Sequence, residues 1–266
     1  MKKDISFLII VPTYNSYNDL KRLFVSITSQ TFQLWRVLFI DGNSNYEHKK
    51  WIKQCTEDER FIVINEKQIK GIYPAMTQGV AYAKKNDWVI FMGSDDWFAS
   101  PFSLKNIKEK IEDNTRDRYL SIVFYGTSFI HHKTRNIMRV NNVPFLKSAN
   151  KRVFLRLLFL GYLPMHQSAC FSSKTIINLM PYDHVYKLAA DCDLFFRLKL
   201  IRNLRIIFIQ KNLIYIQSGG ISSKLTAQRI SEVFKIYIKN YRITFLVPFL
   251  ARYARKIMSR FFNLNI

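Results

Sequence analysis

A chain of 266 residues with 48% hydrophobic side chains is long enough for one large domain with its own core. Its net charge of +22 predicts polyanionic company, namely nucleic acid, an anionic membrane or phosphorylated small molecules. Cys55, Cys170 and Cys192 have neither metal-ligand nor redox spacing, which argues against a disulfide framework and for a reducing compartment.

The apolar run Phe7–Pro12 is too short for a secretory signal, and no stretch approaches the ~20 apolar residues that span a bilayer. A cytosolic protein is expected. Ile5–Val11 reads as a buried strand. A polar break follows at Asn15–Asn18, and then Leu20, Leu23, Phe24 and Ile27 recur at helical spacing. Trp35–Ile40, Phe61–Asn65 and Trp88–Met92 are three further strands. Gly71–Lys84 is a helix with Pro74 suited to its first turn. Ser100-Pro101 predicts the start of a helix carrying Leu104, Ile107 and Ile111, and Ser121–Tyr125 the next strand. Arg135–Ala149 reads as irregular, Asn150–Leu160 as helical, and Ala189–Ile201 as an amphipathic helix. Strands alternating with helices predict an α/β fold with a mostly parallel, doubly wound sheet.

The chemistry-bearing residues gather at expected strand ends, the edge where open α/β sheets bind ligands. Val11-Pro12-Thr13-Tyr14-Asn15 leaves the first strand and Ile40-Asp41-Gly42 the second. Lys70-Gly71-Ile72-Tyr73-Pro74 opens a helix. Gly93-Ser94-Asp95-Asp96 leaves the fourth strand and places two carboxylates where a hard divalent cation could bridge phosphates, although Ser-Asp-Asp is also ordinary turn chemistry. Met165-His166-Gln167-Ser168 precedes Ala190-Asp191-Cys192-Asp193 at the start of the amphipathic helix. Residues two apart on a helix point away from each other, so Asp191 and Asp193 do not read as a carboxylate pair.

In this order and spacing the set, from about Phe7 to Ser223, resembles the family-2 glycosyltransferases of GT-A fold that build bacterial surface polysaccharides. The resemblance implies that Pro12, Thr13, Tyr14 and Asp41 hold the nucleotide base and ribose of a UDP-sugar, with Gly71 also on the donor side. It implies that Asp95 contacts ribose or sugar, that Asp96 coordinates Mn²⁺ or Mg²⁺, and that His166 and Gln167 line the acceptor or sugar pocket. Asp191 takes the place of the general base, which implies inversion at the anomeric carbon. The segment Gln217–Ser223 resembles the loop that follows the catalytic helix in this family, whose glycines and hydroxyls could close over the diphosphate or form a plain turn. Related enzymes often carry acidic residues flanking the Gly71-Ile72-Tyr73 segment, where this chain has Lys70 and Pro74; Glu66 is a candidate substitute.

Residues 1–223 are thus expected to form the catalytic domain, and 224–266 a basic amphipathic helical tail. After Arg197 the single acidic side chain is Glu232, while Lys and Arg recur among aromatic and aliphatic residues. Such a tail suits an anionic bilayer surface, or is a solvated helix in a Lys-rich chain. The combined expectation is an enzyme at the inner face of the cell membrane acting on a lipid-linked or glycan acceptor, in O-antigen, capsule or exopolysaccharide-like synthesis. A catalytically inactive scaffold and a basic nucleic-acid-binding protein are the rival readings; no nucleic-acid motif accompanies the charge.

Overall fold

The computed structural model describes residues 4–114, 119–132, 134–218 and 226–261. The first half alternates as the apolar runs predict: β1 (Ser6–Thr13), α1 (Tyr17–Thr28), β2 (Trp35–Asp41), α2 (Tyr46–Cys55), β3 (Phe61–Asn65), α3 (Ile72–Val80) and β4 (Asp87–Phe91). These four strands are parallel, in the order β3-β2-β1-β4, with Thr13 opposite Asp41 in register. Their C-terminal ends therefore open on one edge.

Then come β5 (Trp97–Phe98), α4 (Ser103–Glu112), β6 (Leu120–Ile130), β7 (Ile137–Asn141), β8 (Ser148–Asn150), α5 (Lys151–Phe159), β9 (Ala169–Ser172), α6 (Ser173–Ile177), α7 (Ala190–Arg197) and β10 (Arg205–Gln217). The sheet continues β4-β9-β6-β10-β5, with β7 on β6 and β8 on β10. This half is mixed: β9 runs antiparallel to both β4 and β6, whereas β6 and β10 are parallel.

Several boundaries differ from the sequence expectation. Ser100-Pro101 does not open a helix; Ser100 Oγ accepts from the Phe102 N–H at 3.2 Å in a turn, and α4 starts at Ser103. The stretch 135–149 is not irregular throughout, because it contributes β7 and the start of β8. Asn150 caps α5 by accepting from the Val153 N–H at 3.0 Å.

Along the strands, alternate side chains feed two cores, as a sheet covered on both faces requires. Leu8, Ile10, Leu38, Ile40, Val89 and Phe91 pack under α3, α5, α6 and α7. Phe7, Ile9, Val11, Val37, Phe39 and Ile90 pack under α1 and α4. Each fully buried side chain of this size contributes roughly 1.5–3 kcal/mol. The basic C-terminal region is helical, as α8 (Thr226–Tyr241) and α9 (Leu246–Phe261). Val233, Ile236 and Tyr237 of α8 are buried in the same core as α7. The backbone of α9 crosses the end of α5 at Gly161, where φ is +83° and a Cβ would collide with Ala251 and Arg252.

Gly79 is where α3 touches β1. A Cβ there would sit 2.5 Å from Ile10 Cγ2 and 3.1 Å from Cδ1, and the fully buried Ile10 has no room to yield. Gly79→Ala is therefore expected to destabilise the protein by about 1–3 kcal/mol despite alanine's better helix propensity, measured as a lower urea midpoint.

Candidate active site

The loops leaving β1 and β2 are stitched together by short polar side chains. Gly42 N–H donates to the Thr13 carbonyl at 2.9 Å, Asn15 N–H to Ser44 Oγ at 2.9 Å, and Asn45 N–H to Asn15 Oδ1 at 2.8 Å. Asp41 lies beneath this stitching with no exposure. It accepts from the Ser44 N–H at 3.0 Å, from the Ser44 hydroxyl and from Thr13 Oγ1 at 3.4 Å, with His48 Nε2 at 3.4 Å. Burial lowers the His48 pKa, which favours the neutral ring. Above this floor Tyr14 is 52% exposed, a free aromatic face beside the strand ends. Glu66 follows β3, and its main-chain N–H donates to the Asp41 carbonyl at 2.8 Å. Its carboxylate is buried, with Lys70 at 4.0 Å, and desolvation raises its pKa. Gly71 caps α3 with φ 104°, a backbone state that glycine adopts without a Cβ penalty.

Asp95 and Asp96 converge over Gly93. A Cβ on that glycine would meet Asp95 Oδ1 at 2.8 Å and Asp96 Oδ2 at 3.0 Å, and the Gly93 N–H donates to Asp96 Oδ2 at 2.7 Å. Burial first, and the Asp95 charge second, push the Asp96 pKa well up. Two like charges forced together in a desolvated corner favour a cation or a shared proton. Among the described residues no third His, Cys, Asp or Glu joins them. The donor set suits a divalent ion that completes its shell with phosphate oxygens and water.

Asp191 sits in the first turn of α7, where the helix dipole favours a negative charge. Its Oδ1 accepts from the Tyr73 hydroxyl at 3.1 Å and the Cys192 N–H at 2.9 Å, and its Oδ2 faces Arg229 at 3.9 Å. The neighbouring Asp193 points away, paired with Arg197 at 2.9 Å and Lys239 at 3.1 Å. Arg197 also donates to the Leu179 and Pro181 carbonyls, a packing role.

His166 stacks on Phe91 with ring centroids 4.5 Å apart, and its Nε2 shares a hydrogen bond with the Tyr182 hydroxyl. The Tyr182 ring lies 5.1 Å from that of Tyr73, so His166, Tyr182, Tyr73 and Asp191 form one wall. Gln167 is half-buried in the same short 3₁₀ turn. Ser218 follows β10, and Gly219–Ser223 lies outside the described residues.

Residue-by-residue reading does not single out Tyr73 and Tyr182 as partners, nor two contributions from α8. Glu232 accepts from three consecutive main-chain N–H groups, those of Lys187 at 3.2 Å, Leu188 at 2.8 Å and Ala189 at 2.9 Å. It thereby fixes the turn that delivers Asp191, while Arg229 meets Asp191 itself. The isolation of Glu232 in a cationic segment was the available signal.

Burial depresses His166 to about 4 from 6.5. Between these values the unfolded chain binds a proton that the folded one refuses, so stability falls as pH drops from 6.5 towards 4. The loss is about 3 kcal/mol at most. Urea unfolding at pH 7.5 and 4.5 should show His166→Gln losing less stability than the wild type over this interval. Parallel losses would remove His166 as the source.

Comparison with known proteins places the sequence and the fold. The model of Glycosyl transferase family 2 matches residues 8–172. A PGL/p-HBAD biosynthesis glycosyltransferase of Mycobacterium bovis is 26% identical over 260 residues, covering 96% of this chain and 93% of that one. Glycosyltransferase GlyA of Streptococcus pneumoniae is 26% identical over 117 residues, 44% of this chain and only 16% of its own length. Among solved structures, S. aureus TarS 1-349 in complex with UDP-GlcNAc superposes with a TM-score of 0.71 at 17% identity, covering 98% of this chain and 76% of that one. Mannosyltransferase PcManGT of Pyrobaculum calidifontis, in complex with GDP-Man and Mn²⁺, gives 0.65 at 14% identity, covering 95% and 70%. With the family model spanning more than half of the sequence and the GT-A architecture reproduced, the chain belongs to glycosyl transferase family 2.

Proposed function

We propose that this enzyme transfers a sugar, with inversion, from a UDP-sugar to a hydroxyl of a lipid-linked or polysaccharide acceptor in cell-surface polysaccharide synthesis. The observation that carries the reading is the Tyr73–Asp191 hydrogen bond, which holds a carboxylate from α7 at the sheet edge where Asp95 and Asp96 converge. Pro12, Thr13, Tyr14 and Asp41 form the nucleoside wall, with Tyr14 offering its exposed ring to the base. Asp41 acts there mainly by fixing Thr13 and Ser44, since a ligand reaches its oxygens only by displacing those partners. His166 and Gln167 line the sugar or acceptor side. The solved relatives that bind UDP-GlcNAc and GDP-Man support a nucleotide-sugar donor.

In the proposed reaction the acceptor hydroxyl gives its proton to Asp191 Oδ2, the oxygen that accepts no hydrogen bond from Tyr73 or Cys192 and faces Arg229 at 3.9 Å. The acceptor oxygen bonds to the anomeric carbon as the carbon–oxygen bond to the diphosphate breaks, and the diphosphate leaves with the electron pair. One base and one displacement give inversion. Mn²⁺ or Mg²⁺ held by Asp96 would supply positive charge to the departing diphosphate. Asp95 borders the ribose, and Arg229 keeps the Asp191 carboxylate oriented.

Asp191→Asn is expected to lower the transfer rate by about 10²–10⁴-fold with donor affinity largely kept, as read by steady-state kinetics and calorimetry. A mutant rate equal to wild type would remove Asp191 as base. Calorimetry of UDP-sugars with and without Mn²⁺ should show metal-dependent affinity that Asp96→Asn abolishes; identical metal responses would exclude Asp96 as a ligand.

We further propose that the protein docks on the cytoplasmic face of the membrane through α9. No helix among the described residues is long and apolar enough to cross a membrane. Val247, Leu250 and Ile257 of α9 are 59%, 60% and 54% exposed, a stripe at helical spacing beside Lys256. Because α8 belongs to the core, the informative change is local. The triple change of Val247, Leu250 and Ile257 to Glu should release the protein from phosphatidylglycerol vesicles in a flotation assay without altering its melting. Undiminished flotation would dismiss α9 as the docking face.

A further inference from the structure

We propose that Arg22 and Arg135 form a phosphoryl-binding site on the flank of Asp95–Asp96 away from Asp191, a reading that rests on the glycosyltransferase assignment. Arg22 projects from α1 and Arg135 from the turn between β6 and β7, yet both donate through Nη1 to one oxygen, Gln217 Oε1, each at 3.1 Å. Gln217 ends β10, is 8% exposed, and is oriented by donating from Nε2 to Asp19 Oδ1 at 3.3 Å. Its main-chain N–H lies against the Asp96 carboxyl, which places the arginine pair next to the proposed metal carboxylate.

The arrangement is electrostatically incomplete. Two guanidinium groups share a neutral acceptor, and neither makes an ion pair with a carboxylate among the described residues. Burial first, and the Arg135 charge second, lower the Arg22 pKa, while Asp19 and Asp95 act on it only at longer range. The Arg22 guanidinium lies 4.4 Å from the centre of the Trp97 ring, which restricts its position. Each guanidinium carries five N–H donors, and one bond to Gln217 from each leaves most of them for a ligand. A tetrahedral phosphoryl group supplies the missing negative charge and can accept bidentate bonds from both. An apolar or neutral ligand would leave the like charges facing each other.

Two sources offer this chemistry: the diphosphate of the donor and a phosphate carried by the acceptor. Calorimetric titration of inorganic pyrophosphate in EDTA removes any contribution from a cation at Asp96. The wild type should bind, and both Arg135→Gln and Arg22→Gln should weaken binding about tenfold or more, as expected for loss of charge-assisted bonds. Arg135→Lys should recover part of the loss. Arg22 also covers Trp97, so the exposed Arg135 position decides the outcome. Repeating the titration on UDP-saturated protein assigns the source: abolished binding identifies the donor diphosphate, and retained, arginine-dependent binding identifies an acceptor phosphate. No wild-type binding, or Arg135→Gln binding within about twofold of wild type, overturns the site. Pyrophosphate needs neither base, sugar nor catalytic carboxylate. A glycosyltransferase reading that fails through Asp191→Asn therefore remains distinguishable from failure of the arginine pair.

Discussion

Asp96 is 2% exposed and has a second carboxylate beside it, and much of the local architecture serves to make that tolerable. An ionised carboxylate in a dry site needs hydrogen bonds or a counter-charge. Gly93 provides a main-chain donor at 2.7 Å, and it can approach so closely because it has no side chain. The N–H of Gln217 provides another contact, which requires β10 to extend to the end of β6. The charge problem is eased but not removed, since the Asp96 proton affinity stays raised. The corner therefore favours whatever neutralises the second carboxylate, a proton or a cation.

The same edge is completed from the opposite end of the sequence. The α7 helix delivers Asp191, but its position depends on neighbours distant in the chain: Tyr73 is 118 residues away, and Glu232 lies 43 residues beyond Ala189. Glu232 is itself a buried carboxylate, compensated by three main-chain donors that would otherwise be orphaned ahead of the helix. Residues 226–241 therefore belong structurally with Asp191, whereas α9 presents an apolar stripe to solvent. The cationic C-terminal region divides into a part that builds the site and a part that faces outward.

Strands β1, β2 and β4 were legible because their residues are buried on both faces and so form continuous apolar runs, and the half-buried edge strand β3 was legible from its own short apolar run. The short or exposed elements were not. β5 has two residues, and β7 carries exposed Ile137, Met138 and Val140 on an edge, so neither leaves a periodic signal. β10 is interrupted at exposed Gln210 and Lys211, where its register with β6 shifts. In the site, Asp95, Asp96 and Asp191 could be read as carboxylates at element ends. Sequence could not show that Asp41 is sealed beneath Ser44 and His48, or that Tyr73 reaches Asp191, because those facts depend on pairing between distant segments.

The roles of the titratable groups follow from these environments. His166 is surrounded by Phe91, Phe171, Tyr182 and Phe195 and is held neutral by burial, so it offers a hydrogen-bonding ring rather than a charge near neutral pH. Tyr73 and Tyr182, with proton affinities raised by burial, remain donors. Asp193 is committed to Arg197 and Lys239, and Asp41 to its own loop. Of the two carboxylates of α7, Asp191 keeps Oδ2 free of hydrogen bonds, facing Arg229 at 3.9 Å, while its hydrogen-bonded Oδ1 fixes its direction. The availability of Asp191 is therefore specified by the commitments of its neighbours as much as by its own place at the helix start.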